Sequence, residues 1–213
     1  MEQAKAYSRT LEKGIAMPVS IQQEHVAFYH ELGLAITQWA HVERTLCDIA
    51  TFCFARDPAN FTLDQYSDHY DTFFAIENFR SKVSYTDTVF QRRFSATGHA
   101  ADWKAILTSM AKRSRIRNAL AHNPALGIYG APEGRRYCIV PRSIEPSRSR
   151  YPEGALFLQD IVRHRLKFFA LNIRLERFYQ RLRGMESLHD AASEQPRDPP
   201  PIQEIVDGIF NVS

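Results

Sequence analysis

The chain has 213 residues, 44% hydrophobic and 24% charged, enough for one sizeable core and typical of a globular protein. No stretch approaches the ~20 consecutive apolar residues of a spanning helix, and the polar start Met1-Glu2-Gln3-Ala4-Lys5 lacks an apolar secretory core. The net charge of +3 conceals an asymmetry: Lys112–Arg183 carries 16 Lys/Arg against 5 Asp/Glu (+11), and the rest carries 11 against 19 (−8). A basic segment of this kind suits a polyanion such as RNA, and is equally explained by solvated helix faces.

Residues 1–22 read as a weakly ordered N-terminal segment, with Pro18 ahead of the first strong pattern. Residues 23–188 read as one helical domain, and residues 189–213 as a Pro-rich tail with a short amphipathic segment, Ile202 to Phe210. From about Glu24 to Arg56, Phe28, Leu32, Ile36, Trp39, Val42, Leu46, Ile49 and Cys53 recur at helical spacing, which predicts one long amphipathic helix ended by Asp57-Pro58. Thr62 and Gln65 have capping-box spacing, so a second helix starts there. Its stripe runs through Phe73, Phe79, Val83 and Phe90 to Phe94, with a kink or division expected near Ser84. A third helix, about His99–His122, carries Trp103, Ile106, Leu107 and Met110 on one face. Arg117 falls inside that apolar stripe, while Asn118 and His122 share one flank.

Between Gly127 and Gly154 the chain is rich in Gly, Pro, Ser and Arg, and Arg136–Val140 is expected to pair as a small hairpin with Gly127–Tyr129. A last long helix, about Ala155–Arg183, ends at Gly184, well placed as its C′ residue. The predicted fold class is therefore all-α: an up-and-down bundle of four or five helices with a small β-hairpin or loop insertion before the last one. Cys47, Cys53 and Cys138 are odd in number and lack metal-ligand spacing, so reduced thiols and a cytoplasmic location are expected. Cys47 and Cys53 read as small packing residues. His25, His30, His41, His69, His99, His164 and His189 form no metal-ligand cluster, and no cofactor-binding signature is present, so neither metal nor cofactor is assigned.

The most informative stretch is Arg117-Asn118-Ala119-Leu120-Ala121-His122, followed by Asn123-Pro124. Pro124 cannot continue a helix and pushes Asn123 out of the α region. His122 then lies in a final turn, where unpaired carbonyls and the negative end of the helix dipole suit a cation. A histidine, an asparagine and an arginine at a helix end suit acid/base chemistry on a phosphate ester.

This Arg-Asn-x-x-Ala-His pattern resembles the signature of the HEPN superfamily, small helical bundles common in prokaryotic toxin and defence systems. Trp39-Ala40-His41-Val42-Glu43 is similar to the Trp-x-x-x-Glu pattern of bacterial HEPN-like proteins, and Phe79-Arg80-Ser81-Lys82-Val83 to their second-helix segment. The resemblance spans roughly residues 24 to 185. It implies a metal-independent endoribonuclease, a hydrolase producing a 2′,3′-cyclic phosphate, with Arg117, Asn118 and His122 catalytic and the site built between two protomers of a homodimer. It equally admits a non-catalytic dimeric interaction module for nucleic acid or a protein partner, including an antitoxin or regulator. A third reading, a helical protein of another family in which the motif is accidental, also stays open.

Glu43 lies on the flank of the first helix's apolar stripe, where a carboxylate requires a partner. Arg117 or another inward basic residue would supply it; the alternative is an exposed acid on a solvated flank. Lys112, Arg113 and Arg115, just ahead of the motif, are candidate RNA contacts, and serve equally well as helix C-terminal cations. Trp39 and Trp103 sit on core faces and read as packing residues rather than base-stacking platforms.

Overall fold

The computed structural model describes residues 19–55, 62–128, 130–131, 135–141 and 154–184. Helix α1 spans Val19–Phe54, α2 Leu63–Ala75, α3 Phe79–Phe94, α4 His99–His122 and α5 Leu158–Leu182; strands β1 (Ala125–Gly127), β2 (Tyr137–Ile139) and β3 (Leu156–Phe157) lie between the last two helices. The expected all-α bundle with a small insertion is thus the observed fold. The N-terminal lead-in through Pro18, most of the 127–154 insertion and the tail with its Ile202–Phe210 stripe lie outside the described residues.

The helix ends follow local chemistry. Thr62 and Gln65 form a reciprocal capping box at the start of α2, with bonds of 3.3 and 3.1 Å. The predicted division of the second helix is corrected: it falls at Ile76–Asn78, not near Ser84, which lies inside α3. Asn78 makes the break, its side chain accepting from Ser81 N at 2.8 Å as the N-cap of α3. At the far end of α4, Asn123 is extended (φ −90°, ψ 148°), as Pro124 requires. Gly184 has φ +70°, the left-handed conformation that closes a helix such as α5.

α1 is the axis of the bundle. It packs along α5 and against α3, while α4 packs on α5, α3 and α1. Its row Phe28, Trp39, Leu46 and Ile49 is fully buried, together with Phe90 of α3, Trp103 and Met110 of α4, and Phe168 and Phe178 of α5. Phe90, Trp103 and Phe178 form an aromatic cluster with centroids 5.0–5.8 Å apart. Burial of each such ring stabilises the fold by on the order of 1.5–3 kcal/mol. Arg93 of α3 reaches the end of α1, donating to the carbonyls of Phe52 (2.8 Å) and Ala55 (2.5 Å) while stacking on the Phe52 ring.

The insertion forms a three-stranded antiparallel sheet in the order β1-β2-β3. Leu126 pairs with Cys138, and Cys138 with Phe157. The expected hairpin is present, its first strand beginning two residues earlier than predicted; the two-residue β3 was not anticipated. Cys47, Cys53 and Cys138 are buried thiols. Burial pushes Cys47 up to about 11 and Cys53 up to about 12, which leaves them protonated packing groups.

Candidate functional site

The site is organised by one carboxylate. Trp39 and Glu43 stand four residues apart on α1, so they share a face, and Trp39 Nε1 donates to Glu43 Oε1 at 2.8 Å. Lys82 of α3 meets Oε2 at 3.0 Å, and Arg117 of α4 reaches Oε1 through Nη2 at 3.3 Å. Three helices therefore converge on Glu43, itself only 9% exposed. Lys82 is also buried, its ammonium 4.7 Å from the centre of the Phe74 ring. Of the partners anticipated for Glu43, both kinds are present: Arg117 and a second inward cation. An exposed Glu43 is ruled out.

Arg117 is held but not sealed. Its side chain keeps 27% of its surface exposed, its Nη1 donates to Asn118 Oδ1 at 3.2 Å, and its Nε has no hydrogen-bond partner among the described residues. Asn118 and His122 are both exposed. At 100° per residue His122 lies about 140° around the helix from Arg117 and about 40° from Asn118. Asn118 is thus the link between the anchored guanidinium and the flank that carries the imidazole.

The three cations ahead of the motif separate. Lys112 and Arg115 are exposed. Arg113 is half-buried in the seam between α4 and α5, donating through Nε to Lys167 O at 3.2 Å and through Nη1 to Ser109 Oγ. Burial, reinforced by Arg174, lowers its pKa. Trp39 and Trp103 are buried packing residues whose indoles donate to Glu43 and Asp87. Among the described residues no three His, Cys, Asp or Glu side chains converge as a metal site, and no helix is long and apolar enough to cross a membrane.

No protein-family profile, curated protein or solved structure matches the chain.

Two further acids of α1 were missed from sequence. Glu31 is buried and paired with Arg165 Nε at 2.6 Å. Glu24 is buried and accepts from both the main-chain N–H (3.0 Å) and the guanidinium (3.3 Å) of Arg136. The signal was available: both fall on the stripe of Phe28 and Ala35, at positions where an acid must find an inward cation.

Proposed function

We propose that this chain is a HEPN-like endoribonuclease, acting as a homodimer and serving as a toxin or defence effector. The observation that carries the reading is Arg117 fixed by Glu43, with one arm turned to Asn118 on the flank of exposed His122. In the proposed reaction His122 takes the proton of a ribose 2′-OH. The 2′-oxygen bonds to phosphorus, the bond from phosphorus to the 5′-oxygen breaks, and the departing oxygen takes a proton from the imidazolium of the second protomer. Arg117 offsets the charge that grows on the phosphorane oxygens, and Asn118 orients the ring or the strand. The products are a 2′,3′-cyclic phosphate and a 5′-OH, and no divalent metal takes part.

The test is incubation of purified protein with single-stranded RNA in EDTA, with His122→Ala and Arg117→Ala at matched folding. Loss of cleavage on the order of 10²-fold or more in each is expected. Cleavage that EDTA abolishes, or that both substitutions retain, overturns the mechanism. A second reading, a non-catalytic dimeric module for nucleic acid or a protein partner such as an antitoxin, is favoured by the same ion pair, since Arg117 already has a structural use in closing the Glu43 cluster. RNA binding without cleavage would select it.

A further inference from the structure

The side of α5 away from the core carries a row of cations. Arg163, Lys167, Arg174, Arg177 and Arg181 recur at i, i+4, i+11, i+14 and i+18, which places them within a sector of about 80° along about 27 Å of helix. All are exposed except Lys167, which is half-buried. α4 lies antiparallel beside α5, as Arg113 on Lys167 O and Asp102 on Arg181 (2.8 Å) establish. The Arg163 end of the row therefore lies toward the His122 end of α4. On α4 itself, Arg115 falls within about 20° of His122 on the same exposed face, and Lys112 turns from that face toward the seam with α5.

Acids are scarce here. Within α4 the sole acid is Asp102; α5 has Asp160 and Glu176. Asp102 holds Arg181, and Asp160 holds Arg163 at 2.8 Å, so the two ends of the row are offset. Glu176 sits about 140° around the helix from the row and accepts from Asn172 at 2.6 Å. Among the described residues no salt bridge engages Lys167 or Arg174, in the middle of the row. Arg113, half-buried in the seam between the two helices beside Arg174, adds to that field.

We propose that this row, with Lys112 and Arg115, is a track for the phosphates of single-stranded RNA that leads the strand to His122. The proposal rests on the ribonuclease reading for its substrate class. A line of charge one cation wide matches a single strand, and even at the close ~3.4 Å axial spacing of a stacked strand it spans no more than about eight nucleotides. Only Ala170 interrupts the row, so it lacks the Trp, Phe or Leu anchors with which a helix enters a lipid surface. It also lacks an aromatic platform for stacking, so the backbone is held and sequence is not read.

The experiment uses the full chain carrying His122→Ala, so that substrate survives, and fluorescence anisotropy with a labelled oligouridylate of about ten nucleotides. Lys167→Gln/Arg174→Gln is compared with a charge-matched control off the row, Arg80→Gln/Arg92→Gln. Affinity is expected to fall about 10- to 30-fold in the row variant, with a log–log salt slope shallower by about 1.4, and to hold in the control. Equal weakening in both variants, or none in either, overturns the track, as does tighter row-dependent binding to phosphatidylserine vesicles than to RNA. The row variant is also made with His122 intact. Cleavage there at an unchanged KM removes the track and leaves the ribonuclease; row-dependent binding by a chain that never cleaves keeps the track and removes the ribonuclease.

Discussion

The first helix and the last are both amphipathic, but they distribute charge in opposite senses. α1 turns Glu24, Glu31 and Glu43 inward, each met by a cation from another element, and its outer face from His25 to His41 carries no Asp, Glu, Lys or Arg. α5 buries Ile161, Phe168, Leu175 and Phe178, sends Arg165 in to Glu31, and leaves Arg163, Arg174, Arg177 and Arg181 outside. Charge on α1 therefore fixes where the other elements sit, because a buried carboxylate is costly until its partner is in place. Charge on α5 is largely left to solvent, where individual ion pairs contribute little to stability and the summed field is available to a partner.

The sharpest break of this contrast is Glu43→Ala. It strands Lys82 and Arg117 and removes the acceptor of the Trp39 indole, and is expected to cost about 3–5 kcal/mol in urea unfolding. Loss of less than about 1 kcal/mol would show that the three-helix convergence is not stabilising. Glu24→Ala removes the acceptor for the main chain and side chain of Arg136, and about 2 kcal/mol is expected by the same measurement. Its effect should come with earlier proteolytic cleavage near β2.

A pH scan sharpens the comparison from the interior side. Burial lowers the pKa of His69, which sits against Phe54 and Tyr85, and of His164 on α5. Below about pH 6.5 the unfolded imidazoles take up protons more readily than the folded ones, so the unfolded state binds more protons and stability declines as pH falls. It is full above that pH and levels off below the depressed folded values. Urea midpoints should drop between about pH 7.5 and 5.5, and His69→Gln should flatten part of that drop; an undiminished slope would acquit His69. The smallest effect belongs to the exposed pair on the rim: Asp102→Asn, which releases Arg181, should shift stability by no more than about 0.5 kcal/mol.

Where a residue's neighbours lie within a turn or two along the chain, the sequence carried the information. The α4 boundaries, the Thr62–Gln65 box, Gly184 as a cap and the extended Asn123 all follow from such short-range chemistry. The α2–α3 break did not stand out because no Gly or Pro marks it and Phe73, Phe79 and Val83 read as one stripe; only Asn78 ahead of Phe79 announced it. At the site, the inward lean of Arg117 and the need of Glu43 for a partner were legible from helical phase. That Lys82 would be the second partner, or that Arg113 would turn into the α4–α5 seam, depends on how helices are set against one another. Strand β3, two residues long, has no periodicity to read.

The clamp of Arg93 on the final carbonyls of α1 has a consequence for motion. A helix of 36 residues would ordinarily loosen from its tip, each terminal amide exchanging with solvent on its own. Here the tip is tied to a side chain rooted in the last turn of α3, so that end of α1 opens only when Arg93 lets go. Deuterium uptake at the end of α1 then reports on the seating of a helix some forty residues further along the chain.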